Sequence, residues 1–206
     1  MQLILVRHAE PERLVDAPDG RADPGLTPHG QAQAERLVGA LACVAIDALV
    51  TSPMRRARGT AAPLSGARGI EPDVVDDLRE YDADRDSYVP VSDLATERPD
   101  EWERMRSGWL PAHVDAGEFT ARAVAAVDSV VAAHPGRATA VVVAHAGVLN
   151  AYLAAALDIP VPLPFPLDYA GVTRVLCSRS GRRRVRTVNE VAHVSDLLDL
   201  GERTSR

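Results

Sequence analysis

Runs of consecutive apolar residues recur along the chain and predict buried β-strands. Consecutive apolar residues indicate burial on both faces, which is typical of the central strands of a parallel sheet. The runs predicted as strands lie at 3–6, 46–51, 70–75, 141–144, 172–177 and 184–188. A glycine-containing turn separates the last two, so they predict a C-terminal hairpin at the edge of the sheet.

Helical patterns fill the intervals between these strands. The Thr-Pro pair at 27–28 is a typical N-cap and first helical residue, and an apolar stripe with helical spacing follows at 34–41. The Ser-Pro pair at 52–53 repeats this signature and predicts a second helix, with a kink or an early stop at Pro63. Alternation of strands and helices predicts an α/β protein, a three-layer α/β/α sandwich with a mostly parallel sheet.

Residues 81–117 interrupt this alternation. The segment carries many charges and shows no strand pattern, and its apolar residues, such as Leu94 and Trp102, predict one or two short helices in an inserted cap. The chain has 206 residues, of which 46% are hydrophobic, and this is enough for one ordinary domain with a real core. We therefore expect a single domain over residues 1–206 with a cap at about 81–117.

Composition argues against several classes of function. The net charge of -6 argues against a nucleic-acid partner, which needs a basic face. All 23 basic residues are arginines, so this sequence offers no P-loop lysine, Schiff base or pyridoxal-phosphate anchor. The usual serine-hydrolase, zinc-protease and dinucleotide motifs are absent from it too. No apolar run approaches the ~20 residues of a membrane span, so we expect a cytoplasmic protein without a membrane partner, and a homodimer stays open.

Residues suited to phosphate chemistry follow the three strongest strands. Arg7 and His8 come directly after the first strand, Arg56 lies just beyond the second, and His145 follows the third. Because ligands bind outside the carboxyl ends of parallel strands, we expect these side chains to converge on one site. Guanidinium groups match phosphate oxygens, and an imidazole can act as a nucleophile or carry a proton. The sequence therefore predicts phosphoryl chemistry on a small-molecule substrate, with no metal and no cofactor.

Five short elements carry a stronger signal, because they occur together and in a fixed order. They are Arg7-His8-Ala9, Leu26-Thr-Pro-His-Gly30-Gln-Ala-Gln33-Ala34, Ser52-Pro-Met-Arg-Arg56-Ala-Arg-Gly-Thr60-Ala61, Leu78-Arg79-Glu80 and His145-Ala146-Gly147. In these elements the chain resembles the histidine phosphatase superfamily, which has the phosphoglycerate-mutase-like fold. The resemblance runs from Leu3 to about His193, although Ala9 and Ala146 stand where the family usually has glycine.

The resemblance implies a role for each of these residues. His8 would attack phosphorus and become a phosphohistidine, while the arginines and His145 would bind the phosphate oxygens. Glu80 would protonate the leaving oxygen and later deprotonate water, which needs a pKa raised toward neutrality. The implied catalytic residues are His8, Glu80, His145, Arg7 and Arg56, and the implied phosphate-binding residues are Arg7, His8, Arg56, His145 and Ala146. Ala146 would act through the helix N-terminus that follows the third strand.

The sequence leaves three functions open. The favoured one is a metal-independent phosphatase for a small phosphomonoester, because the acidic residues at 81–88 would repel a bisphosphorylated acid and the lack of lysine removes one clamp for a second phosphate. The alternative is a cofactor-dependent phosphoglycerate mutase. A non-catalytic phosphate-binding or interaction module is the third. Three further carboxylates lie close enough in sequence to replace Glu80: Asp77, Asp82 and Asp84.

Overall fold

The computed structural model describes residues 1–198, apart from the side chain of Ser92, and within this range a six-stranded sheet forms the centre of the molecule. The strands are β1 (Gln2–Arg7), β2 (Ala48–Thr51), β3 (Asp73–Val74), β4 (Thr139–Ala144), β5 (Val172–Cys177) and β6 (Arg183–Glu190). Their order is β3-β2-β4-β1-β5-β6. The first four in this order are parallel, whereas β5 and β6 are antiparallel additions. The predicted parallel sheet with an edge hairpin is confirmed.

The register of the parallel strands brings their C-terminal ends together. Arg7, the last residue of β1, pairs with Ala144, the last residue of β4. Beyond the strands, the His8 amide donates to the Ala144 carbonyl at 2.8 Å, and the Ser52 amide donates to the Val143 carbonyl at 3.1 Å. The residues that follow β1, β2 and β4 therefore meet at one end of the sheet.

Helices cover both faces of the sheet. They are α1 (Pro28–Ala40), α2 (Arg55–Arg68), α3 (Val91–Glu97), α4 (Pro99–Arg106), α5 (Ala116–Ala133) and α6 (Ala146–Leu157), with 3₁₀ turns at Asp76–Leu78 and Ala192–Leu197. Alternate residues of β1 enter separate cores, since Leu5 packs with α5 and α6 while Ile4 packs with α1 and α2. The three-layer α/β/α sandwich is thus confirmed. No helix among the described residues has both the length and the apolar character that a membrane span requires.

The predicted N-cap is confirmed for the first helix and wrong for the second. Thr27 caps α1 as predicted, because its hydroxyl accepts a backbone N–H of the first turn. The equivalent prediction for Ser52 is wrong, since α2 begins after Met54, which makes no side-chain cap. The predicted early stop is also absent, and α2 continues through Pro63 to Arg68. A proline removes one helical hydrogen bond, and the other bonds of the helix suffice here.

The segment after Glu80 contains the two short helices α3 and α4, as its composition predicts. Backbone hydrogen bonds tie this segment to the loop at residues 11–25. Leu14 and Tyr88 exchange two of them, at 2.7 and 3.2 Å, and the Ala17 amide donates to the Asp86 carbonyl at 2.9 Å. The two segments therefore lie together, and Tyr88 becomes buried near the C-terminal end of the sheet.

Candidate active site

His8 presents a neutral imidazole at the C-terminal end of β1. It is 3% exposed, and its Nδ1 lies 2.8 Å from the Ala9 carbonyl oxygen. Because a carbonyl can only accept, Nδ1 carries the proton and Nε2 keeps its lone pair. Burial lowers the pKa of His8 well below its usual value, and the charges of Arg56 and Arg7 lower it further. The Nε2 atom can therefore act as a nucleophile at neutral pH.

Arg7 holds a buried guanidinium group beside His8. Its Nη1 donates to the Leu167 carbonyl at 2.5 Å, and its Cζ lies 3.9 Å from the centroid of the Tyr169 ring. The side chain is thus fixed on one side by a hydrogen bond and on one face by an aromatic ring. Its Nε has no partner among the described atoms, so it remains available to an acceptor.

Arg56 supplies the second guanidinium group from the first turn of α2, where the sequence predicts it. It is fully buried, and its Nη2 donates to Asp82 Oδ1 at 2.8 Å. Its Cζ lies 4.7 Å from the centroid of the Tyr88 ring. A buried cation needs a partner, and Asp82 is one. The remaining Nε and Nη1 atoms of Arg56 are buried without a partner in the described structure.

His145 faces His8 from the end of β4, with 5.2 Å between the two ring centroids. Its Nε2 lies 2.8 Å from the hydroxyl oxygen of Ser52. Burial lowers the pKa of His145 well below its usual value, and Arg56 contributes to the same effect. An anion that binds between these cations would favour the protonated form, which donates from both ring nitrogens. The hydroxyl of Ser52 therefore orients a site residue, a role that its sequence context does not suggest.

Glu80 is 7% exposed and accepts two backbone hydrogen bonds. Its Oε2 accepts from the Gly147 amide at 2.7 Å, and its Oε1 accepts from the Tyr81 amide at 3.2 Å. A Cβ atom at Gly147 would overlap Glu80 Oε1, so the carboxyl group needs glycine there. Burial, together with the neighbouring charge of Asp82, raises the pKa of Glu80 to about 7. Such a carboxyl can both donate and accept a proton near neutral pH.

A clamp from α5 holds the backbone that carries Glu80. The Nη1 atom of Arg122 donates to the Asp77 carbonyl at 2.6 Å and to the Arg79 carbonyl at 2.8 Å. Between these two residues, Leu78 is fully buried in the core shared with α5. The leucine and the arginine together fix the path of the chain into the site.

Orphaned polar atoms converge on this region. Within residues 1–198, the buried side-chain polar atoms without a hydrogen-bond partner are Arg7 Nε, Arg56 Nε, Arg56 Nη1, His145 Nδ1 and Tyr169 Oη. Four of these five atoms belong to residues predicted to bind phosphate. Unsatisfied buried donors are costly, and a tetrahedral oxyanion offers acceptors in several directions at once. The site therefore suits a tetrahedral oxyanion such as phosphate.

The three carboxylates that could replace Glu80 differ in their exposure and in their contacts with the site. Asp82 contacts Arg56 directly, and its side chain is 15% exposed. Asp84 pairs instead with Arg21 on the surface, and its side chain is 67% exposed. The side chain of Asp77 is exposed as well. No group of three or more His, Cys, Asp or Glu side chains in the described range is arranged to hold a metal ion.

The two alanines at glycine positions fit their surroundings without a positive φ angle. Ala9 is fully buried, and its amide donates to Thr60 Oγ1 at 2.9 Å. Ala146 opens α6 directly after His145, and the amide that follows it is the one that binds Glu80. Phosphate binding by the Ala146 amide stays a prediction.

Comparison with known proteins places this geometry in a family. The model of the histidine phosphatase superfamily (branch 1) matches residues 3–191. Phosphoserine phosphatase 1 of Hydrogenobacter thermophilus is 32% identical over 105 residues, which cover 50% of this chain and 50% of that protein. The chain spans about half the length of the curated relatives it matches.

Solved structures of other proteins match this fold over nearly the whole chain. YhfR of Bacillus stearothermophilus is 26% identical, with a TM-score of 0.74, and the match covers 94% of this chain and 98% of that one. A mycobacterial glucosyl-3-phosphoglycerate phosphatase in complex with VO3 is also 26% identical, with a TM-score of 0.75 and coverage of 91% and 98%. From the family match and the fold together, the chain belongs to the histidine phosphatase superfamily.

Proposed function

We propose that the protein is a metal-independent phosphatase that hydrolyses a small phosphomonoester through a phosphohistidine intermediate. The observation that carries the proposal is the set of orphaned donors on Arg7, Arg56 and His145 around a neutral His8. A phosphoryl group placed among them satisfies buried donors and lies within reach of a nucleophile. A cytoplasmic location and a homodimer stay predictions from the sequence.

The first half-reaction transfers the phosphoryl group to His8. The Nε2 lone pair forms a bond to phosphorus while the bond from phosphorus to the ester oxygen breaks, and the proton of Glu80 passes to that oxygen. The guanidinium groups of Arg7 and Arg56, with His145, stabilise the negative charge on the three nonbridging oxygens. An alcohol leaves, and Glu80 is now a carboxylate.

The second half-reaction returns the enzyme to its starting state. The Glu80 carboxylate takes a proton from water, and the water oxygen forms a bond to phosphorus while the bond to Nε2 of His8 breaks. Inorganic phosphate leaves with Glu80 protonated again. A pKa of about 7 suits both directions of this proton transfer.

The contact between Asp82 and Arg56 supports a phosphatase in preference to a mutase. A phosphoglycerate mutase must hold a second phosphate beside the transferred one, and a carboxylate on the site arginine would repel it. Tyr88 packs against Arg56, and the loop at 11–25 is hydrogen-bonded to Tyr88, so both segments border the site and support a small substrate. The relatives named as phosphatases agree with hydrolysis, and their different substrates leave the alcohol unassigned.

A substrate panel tests the proposal directly. Sugar phosphates, nucleotides, phosphoglycerates and phosphopeptides are assayed for phosphate release with the wild type, His8→Ala and His134→Ala, which changes a histidine at the C-terminus of α5. We expect release from at least one small phosphomonoester by the wild type and by His134→Ala, none by His8→Ala, and no loss in excess EDTA. Isomerisation of 3-phosphoglycerate in preference to hydrolysis, or loss of activity that magnesium or zinc restores, would contradict the proposal.

A further inference from the structure

We propose that Tyr169 is a further phosphate-binding residue, whose hydroxyl donates a hydrogen bond to the phosphoryl group that His8 accepts. The inference deepens the proposed function and rests on it. Tyr169 precedes β5 and belongs to none of the five sequence elements that resemble the family.

The backbone around Tyr169 is bonded to the residues that carry the nucleophile. The Ala170 amide donates to the His8 carbonyl at 3.3 Å, and the Arg7 amide donates to the Gly171 carbonyl at 3.1 Å. Ala170 is fully buried with a φ of 54°, a left-handed conformation that is unfavourable for alanine. Tertiary contacts therefore hold this turn in place and fix the position from which the tyrosine extends.

Asn189 of β6 holds the same turn from the other side. Its Oδ1 accepts from the Asp168 amide at 2.8 Å, and its Nδ2 donates to Asp168 Oδ2 at 2.7 Å. A Cβ atom at Gly171 would overlap Asn189 Oδ1, so the chain approaches the asparagine closely. Tyr169 thus extends from a turn that is fixed on both sides.

The Tyr169 ring packs against both residues of the Arg-His pair. The Arg7 guanidinium lies over its face at 3.9 Å, and the His8 ring centroid lies 5.6 Å away at an interplanar angle of 44°. A ring held by these contacts has a defined orientation, so the position of its hydroxyl is defined too.

The hydroxyl itself is buried and lacks a partner in the described structure. The other orphaned atoms there belong to Arg7, Arg56 and His145, and the ring that carries the phenol packs against Arg7. Tyr88 packs against Arg56, with 4.7 Å between its ring centroid and Cζ of the arginine. Two cations favour an anion in this region, and a buried phenol that donates a hydrogen bond needs an acceptor. A nonbridging phosphoryl oxygen meets both requirements.

The substitution Tyr169→Phe separates this role from a structural one. It keeps the ring against Arg7 and removes the unsatisfied hydroxyl, so the ligand-free protein should unfold at a higher temperature than the wild type. Orthovanadate affinity, measured by calorimetry, should fall about 10-fold or more, as expected for loss of a hydrogen bond to a charged group. The value of kcat/KM should fall in parallel, because orthovanadate mimics the phosphoryl group.

Tyr152→Phe is the matched control. The hydroxyl of Tyr152 accepts from Arg183 Nε at 2.9 Å, so its loss should lower the unfolding temperature and leave orthovanadate affinity unchanged. Wild-type affinity in Tyr169→Phe, or failure of that variant to fold, would overturn the inference. Calorimetry does not depend on turnover, so an inactive wild type that binds orthovanadate through Tyr169 would count against the proposed function and not against this residue.

Discussion

Replacement of Glu80 by glutamine tests proton transfer at the site. Burial and the charge of Asp82 raise the pKa of Glu80 to about 7, from an ordinary value of 4.5. At pH 7 about half of such a carboxyl is protonated, against about 0.3% for an ordinary glutamic acid. The surroundings of Glu80 therefore make the acid form about 150-fold more available than it would be in water.

The Glu80→Gln variant keeps the size of the side chain and cannot transfer a proton. Turnover of an alkyl phosphate should fall by roughly 10²–10⁴, the usual contribution of general acid–base catalysis. Turnover of p-nitrophenyl phosphate should fall much less, because its leaving group is stable without protonation. Steady-state kcat for both substrates at one pH measures this difference.

Glu35→Gln is the matched control, since Glu35 lies on the exposed face of α1 and should have no effect on either substrate. An equal loss with both substrates in Glu80→Gln would refute the general-acid role. Asp82 would then be the next candidate, because it contacts Arg56, whereas Asp84 lies on the surface.

Other predictions follow from the same contacts. Gly147→Ala should displace the Glu80 carboxyl and lower kcat on an alkyl phosphate by roughly 10² or more, whereas Gly66→Ala, where a Cβ meets nothing within 4 Å, should keep full activity in that assay. Asp82→Asn removes a like charge and lowers the pKa of Glu80, so the alkaline limb of kcat/KM should move to lower pH; an unmoved limb would contradict this coupling. The folded state binds the Glu80 proton more tightly than the unfolded state, so this group lowers stability as pH rises from 4.5 to about 7. Between pH 4.5 and about 7, the free energy of unfolding of Glu80→Gln, measured with urea, should therefore rise by about 3 kcal/mol relative to that of the wild type. A difference that does not change with pH would argue against the raised pKa.

Residues at the ends of parallel strands could be predicted from the sequence alone. The apolar runs that end at Arg7 and His145 are typical of buried strands, and parallel pairing brings the C-terminal ends of both strands to the same end of the sheet. Glu80 was located through the family resemblance. Its raised pKa depends on burial in the folded protein and on the nearby charge of Asp82, which no local pattern contains, whereas the hydrogen bond from the Gly147 amide lowers that pKa.

Ser52 and Tyr169 show why the rest could not be predicted. The Ser-Pro pair is a typical helix start, yet Ser52 lies before α2. Its hydroxyl accepts a local hydrogen bond from the Met54 amide and also bonds to His145. Tyr169 lies before an antiparallel strand, and such a strand brings its N-terminal end to the side where parallel strands end. A search limited to the C-terminal ends of parallel strands therefore misses Tyr169. The antiparallel pairing of β5 with β1 is the signal that could have found it, because it places the residues before β5 at the same end of the sheet.

Detection of a phosphoryl group on His8 tests the central claim most directly. The protein is mixed with a ³²P-labelled phosphomonoester that it hydrolyses, quenched within the first turnovers, and digested for peptide analysis. We predict label that is stable in alkali, labile in acid, located on the peptide containing His8, and absent from His8→Ala. Label on another residue, or full turnover by His8→Ala, would contradict the account.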